Sequence, residues 1–129
     1  MNQAIEDYLA AWIESADLDP APEVFTGTSS AIRTPESHAV LVMADSIEHV
    51  VGPLYRANIR ITVSSPTDDR AEHKTIAQAI RALLTGDLPT ADGFKAAGLK
   101  PTTFATAVSD DNRWLTSMEG ILGIDWSVS

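Results

Sequence analysis

Cysteine is absent from the 129 residues. Its absence rules out a disulfide scaffold and every cysteine-based zinc site. Basic residues are scarce, with 9 Lys and Arg against 18 Asp and Glu and a formal charge of −9. Such a field repels phosphate backbones, so tight nucleic-acid binding is not expected. No stretch approaches the roughly 20 apolar residues that cross a bilayer, so no membrane partner is expected either. The start MNQAIEDYLA has no basic segment leading into an apolar one, as a secretion signal would. The expectation is a protein made and kept in a cytoplasm. Also missing are GxxxxGK with Ser or Thr, GxGxxG after a strand, HExxH and GxSxG. Those gaps remove the common phosphate-cradling, zinc-hydrolase and serine-nucleophile signatures.

What remains is ordinary for one globular domain: 44% hydrophobic and 21% charged residues, with 7 Gly and 7 Pro. A chain of this length can bury a self-sufficient core without staples. We therefore expect a single domain over residues 1–129.

Ile5, Tyr8, Leu9, Trp12, Ile13 and Ala16 recur at helical spacing, with Glu6, Asp7 and Glu14 on other faces, which predicts a helix over 3–16. Residues 17–37, with three Pro and many Ser and Thr, read as an extended loop or arm with a short strand at 24–26. The run HAVLVMA at 38–44 is apolar at every second residue on both faces, so it reads as a strand covered twice, a strand in a subunit contact, or a plain central strand. In 54–65, Tyr55, Ala57, Ile59, Ile61 and Val63 alternate with Arg56, Asn58, Arg60, Thr62 and Ser64. One face of that strand is core and the other is wet. Residues 45–52 between them are either a short strand closed by Gly52-Pro53 or a hairpin loop.

The period then switches. Ile76, Ala77, Ile80, Leu83 and Leu84 form a helical stripe over 69–85, with Asp69 and Glu72 as a capping pair and Gly86 as the terminating glycine. A short helical turn at 94–97, a strand carrying Phe104, Thr106 and Val108, a turn at 109–112, and a long last strand follow. Gly120 and Gly123 suggest a bulge in that last strand. The order predicts an α+β fold, a mostly antiparallel sheet with an N-terminal helix and a central helix packed on one face.

Candidate chemistry is thin. His38, His49 and His73 fall in three different elements with no ligand spacing; His73 reads as exposed on its helix and His49 as a loop residue. Asp68, Asp69 and Glu72 could hold a cation but serve a helix N-terminus better, and Asp110 and Asp111 are turn residues. No metal or cofactor is expected. Trp12 and Trp126 read as core, whereas Trp114, beside a polar turn, reads as exposed and free for contact. Arg56 and Arg60 flank Asn58 on the wet face and could meet carboxylates of a neighbouring copy. Arg56, Asn58, Arg60 and Trp114 are thus the candidate interaction residues.

The helix with Tyr8 and Trp12, the loop into HAVLVMA, the strand YRANIRITVSSPTDD, the helix HKTIAQAIRALL and the closing GIDWSV together resemble the phage tail terminator and tail-completion proteins, lambda-like minor tail and head-tail joining proteins. The resemblance covers nearly the whole chain in order and length rather than in any single motif. It implies a non-enzymatic structural protein that forms a ring, commonly a hexamer, on the tail tube. Its partners would be other copies of itself, the tail tube protein and a head-completion or connector protein, with DNA passing through the ring. It would occupy the bacterial host cytoplasm during assembly and the tail-head junction of the virion afterwards. Ring contacts would be heterologous, and the 54–64 face, the 17–37 arm and the 45–52 segment are candidates for them. The alternatives are a small ligand-binding protein or enzyme with a site around Asp45 and His49, and an adaptor that binds through a sheet edge.

Overall fold

A computed structural model of the chain describes residues 2–16, 18, 22–27, 38–66, 68, 70–89, 93–108 and 113–126. The elements run α1 (Asn2–Ser15), β1 (Glu23–Thr26), β2 (Ala39–Val51), β3 (Leu54–Pro66), α2 (Arg70–Thr85), β4 (Lys95–Ala96), β5 (Lys100–Val108) and β6 (Arg113–Asp125). One sheet contains every described strand in the order β1-β2-β3-β6-β4, with β5 also on β6. The fold is α+β as the element order predicts. Among the described strands only β1 and β2 run parallel, and the other pairs are antiparallel.

Alternation decides which face is core. Val40, Val42 and Ala44 of β2, Ala57, Ile59, Ile61 and Val63 of β3, and Met118, Leu122 and Ile124 of β6 are buried on one side. Against them lie Ile5, Leu9 and Ile13 of α1 and Ile76, Ala77, Ile80 and Leu84 of α2, in one continuous cluster. Each fully buried Ile or Leu contributes roughly 1.5–3 kcal/mol of transfer free energy, so this layer is what holds both helices to one face. On the opposite face Leu41, Met43, Leu115 and Ile121 are half-buried, and no described helix or strand packs over them.

Of the two readings of residues 45–52 the strand holds: residues 45–51 continue β2, and Gly52 (φ 55°) with Pro53 makes a tight turn. Three local expectations are corrected. Residues 94–97 are extended rather than helical: Lys95 and Ala96 pair with Asp125 and Ile124 as Phe94 and Ala96 enter the core. The bulge lies in β5, between Pro101 and Thr103, whereas β6 keeps unbroken register with β3. Gly120 supplies room for it, because a Cβ there would stand 2.7 Å from the Lys100 carbonyl oxygen and 2.9 Å from Leu99 Cγ. Helix α2 is not closed by a left-handed Gly86; instead the Leu99 amide donates to the Leu84 carbonyl at 2.8 Å. Expectations for Asp69 as a cap, for the turn at 109–112 and for most of the 17–37 arm lie outside the described residues.

Two side chains assigned to wet faces are buried. Glu6 is 6% exposed and His73 is 1% exposed. Both sit on the core stripes of their helices, Glu6 three residues before Leu9 and His73 three before Ile76, and both have buried partners.

Candidate interaction surface and the buried histidine

The hairpin of β2 and β3 carries three polar rungs on its helix-free face. Arg60 Nη2 meets Asp45 Oδ1 at 3.0 Å, Asn58 Nδ2 donates to Ser46 Oγ at 2.7 Å, and Arg56 Nη2 meets Glu48 Oε1 at 3.2 Å. The carboxylates that meet these arginines thus come from the same chain, and the exposure of all four charged groups limits each pair to about 0.2–1 kcal/mol. Arg60 is only half-exposed, and its buried Nε has no hydrogen-bond partner. Asp45 and His49, the pair imagined as a ligand site, do not converge: Asp45 faces Arg60, while His49 Nε2 lies 2.9 Å from the Gly52 carbonyl and its ring packs on Tyr55.

That ring contact begins a run of aromatics from the hairpin to α1. His49 meets Tyr55 at 5.0 Å between centroids, Tyr55 meets Trp126 at 5.0 Å, Trp126 meets Phe94 at 5.6 Å, and Phe94 meets Tyr8 at 4.9 Å. The Tyr8 hydroxyl donates to the Pro89 carbonyl, and burial raises its pKa above the ordinary value. Trp126 and Trp12 are half-buried against the core, and Trp12 Nε1 reaches the Leu83 carbonyl at 3.4 Å.

Beside the hairpin tip an open depression of about 440 Å³ lies over Gly123 and Ile121, rimmed by Arg56, Lys95 and Lys100. Asp125 also lines it, and Arg56 is already paired with Glu48. Val50, Val51 and Leu54 at the tip are 53%, 61% and 42% exposed, and Val108 at the end of β5 is 53% exposed. An apolar tip next to this hollow is a surface of the kind that can meet another macromolecule.

On the helix face, Trp114 is half-buried rather than exposed. The Arg70 guanidinium lies 5.2 Å from its ring centroid, and the His73 ring lies 6.5 Å away. Beneath it His73 Nδ1 is 2.8 Å from Ser65 Oγ and His73 Nε2 is 2.7 Å from Thr116 Oγ1. The chain of contacts extends at both ends, from Ser65 Oγ to His38 Nδ1 at 2.7 Å and from Thr116 Oγ1 to Thr106 Oγ1 at 2.9 Å. Glu72 stands 4.0 Å from His38 Nε2. With His73 neutral, two proton arrangements satisfy this row: either every donor points from His38 toward Thr106, or every donor points back. In each, His73 carries one N–H. Its pKa is lowered to about 4 by burial first and then by His38 and Arg113 nearby. Although a hydroxyl, an imidazole and a carboxylate stand in line here, Ser65 is fully buried and its Oγ is closed to substrate. The row ties α2 to β3 and β6.

No group of three or more His, Asp or Glu placed to hold a metal occurs among the described residues. No helix among them is long and apolar enough to cross a membrane.

No protein-family model and no curated protein matches the chain. Solved structures do. One, described as "Virion of native gene transfer agent (GTA) particle", superposes with a TM-score of 0.57 at 15% identity over 91% of this chain and 84% of that one. A second, whose name states no activity, superposes with a TM-score of 0.52 at 18% identity over 98% of this chain and 93% of that one. At these identities the likeness is one of fold, and it extends over almost the entire chain in both cases.

Proposed function

We propose that this chain is a non-enzymatic structural protein of a phage or phage-like particle, acting as a tail terminator. In this role it caps the tail tube and presents a joining surface toward the head. The observation that carries the reading is the likeness of fold, along nearly its full length, to a chain of a gene transfer agent virion. The surface is in keeping with it: the exposed apolar residues and the hollow lie at sheet ends and edges, where protein contacts form. The charge of −9 suits a channel that passes DNA without holding it.

In this reading the chain forms a closed homo-oligomeric ring, a hexamer, whose contacts join one surface of each copy to a different surface of the next. Its other partners are the tail tube protein and a head-completion or connector protein. It assembles in the bacterial host cytoplasm and ends at the tail-head junction of the particle.

The test is mass in solution by light scattering across a concentration series, alone and with tail tube protein, followed by imaging of tube ends. Rings on tube ends are expected. A protein that stays monomeric in both conditions and leaves tube ends bare refutes the reading.

A further inference from the structure

Among the described residues the sheet ends in two edges with no further strand, and they differ in character. On one side β5 presents Lys100–Val108 with nearly every residue exposed and no charge after Lys100. A long, uncharged, exposed edge strand is a template for pairing with another chain unless something blunts it. On the other side the edge is stepped. β1 pairs with Ala39–Val42 of β2 only, and below it β2 carries irregularities at Asp45 and Val50 and the carboxylates of Asp45 and Glu48. Bulges and charges of that kind discourage strand addition, so β1 is the part of this edge left open to pairing.

From these two edges we propose that the free edge of β5 in one copy pairs with the outer edge of β1 in the next, making the sheet continuous from subunit to subunit. The inference rests on the ring reading above and names the contact that builds it.

Direction and register both follow from the pairings within one chain. β1 runs parallel to β2, and the three antiparallel steps from β2 to β3, β6 and β5 leave β5 antiparallel to β1. Copies related by rotation about an axis along the strands keep their strand directions, so β5 of one meets β1 of the next in the antiparallel sense. In the proposed ring the strands lie along that axis with no shear from copy to copy, so that contacting residues stand at equal height. Equal heights can be read across the sheet. Phe25 is level with Leu41, Thr62, Ser117 and Ala105, and Glu23 is level with Ala39, Ser64, Leu115 and Ala107. The same count puts Val24 at Thr106 and Thr26 at Phe104. All of β1 therefore falls against the uncharged stretch of β5, and none of it overshoots.

Charge favours a second copy as the occupant. Lys100 is level with Ser46, next to Asp45, and Lys95 is level with Val51, below Glu48. Neither lysine has an ion-pair partner among the described residues. Where β1 stops, the space between the copies is faced by lysines from one side and, from the other, by Asp45 and Glu48, each already sharing its charge with Arg60 or Arg56. Two β5 edges would bring lysines together, whereas the two different edges set lysines against carboxylates.

The absence of native cysteine makes the test direct. Glu23→Cys and Ala107→Cys, introduced together at two exposed positions, stand at the spacing of directly opposed residues on paired strands, which a disulfide can span. Oxidation of assembled protein, alone or on tail tube, is expected to give a ladder of covalent oligomers, whereas each single variant gives dimers at most. A second pair of variants, Ala105→Pro and Thr106→Pro, covers both orientations of the edge, because neighbouring residues of a strand direct their N–H groups to opposite sides. The variant that keeps the wild-type melting temperature is expected to raise the concentration needed for assembly at least about tenfold. Assembled protein that gives no ladder, or a folded proline variant that assembles like wild type, overturns this contact and leaves the terminator reading standing. A wild-type chain that stays monomeric alone and with tube protein overturns both.

Discussion

The carboxylate of Glu6, on α1, accepts the backbone N–H of Ala44 on β2 at 2.8 Å. This is the point where β1 stops: the Gly27 amide still donates to the Val42 carbonyl at 3.1 Å, and beyond it a side chain replaces the missing strand. A buried edge amide without a partner is costly, so Glu6 both ends the β1 pairing and seals the helix to the sheet.

Removing that oxygen tests the role. Glu6→Ala is expected to lose about 1–3 kcal/mol, because the Ala44 amide stays buried with its side-chain acceptor gone. Glu6→Gln keeps an acceptor and is expected to lose less than half as much. Urea unfolding of the two variants measures the difference, and equal losses would refute the role.

His73 gives the fold a dependence on pH. Its folded pKa, about 4, lies below the ordinary unfolded value near 6.5. Between those values the unfolded chain binds the proton and the folded chain does not, so stability is full above pH ~6.5 and falls as the pH drops. The loss is expected to reach about 2 kcal/mol by pH ~5 and about 3 kcal/mol by pH ~4. His73→Gln, which can bond to Ser65 and Thr116 but does not titrate, is expected to flatten the slope above pH ~5 in denaturant titrations. An unchanged slope would show that the proton is taken up elsewhere.

Gly120 should resist any side chain. Gly120→Ala places a methyl 2.7 Å from the Lys100 carbonyl oxygen and forces β5 outward at its bulge. A loss of about 1–3 kcal/mol is expected, seen as a melting temperature lowered by roughly 4–12 °C. Gly123→Ala, with its nearest neighbour 3.7 Å away at Ala97 Cβ, is the control and should cost less.

The hairpin rungs are expected to matter little for stability. A double-mutant cycle of Asp45→Ala and Arg60→Ala should give a coupling below about 1 kcal/mol, and salt should shrink it. A coupling several times larger would mean that burial of the guanidinium has made the pair a structural bond.

Much of this architecture is legible in the sequence, and its failures have physical causes. Ala57, Ile59, Ile61 and Val63 announce β3 because one face of it is pure core, and Ile76, Ala77, Ile80 and Leu84 announce α2 for the same reason. Polar residues on core stripes are harder to place. His73 lies three residues before Ile76 and seven before Ile80, so extending the stripe back one turn identifies it, and Glu6 lies three before Leu9. Their burial depends on partners distant in sequence, Thr116 and Ala44, which periodicity does not supply. The strand at 45–51 is concealed because both its faces are polar or exposed, and the Gly52-Pro53 turn and the facing β3 hold it extended. Arg56, Asn58 and Arg60 are rightly placed on one face. Their partners Glu48, Ser46 and Asp45 follow only from the register of the hairpin.

The claim that the chain is a ring-forming terminator is tested most directly by its mass in solution across a concentration series, with and without tail tube protein. The account predicts a closed oligomer, a hexamer, formed alone or on the tube. A monomer at every concentration, unchanged by tube protein, would contradict it.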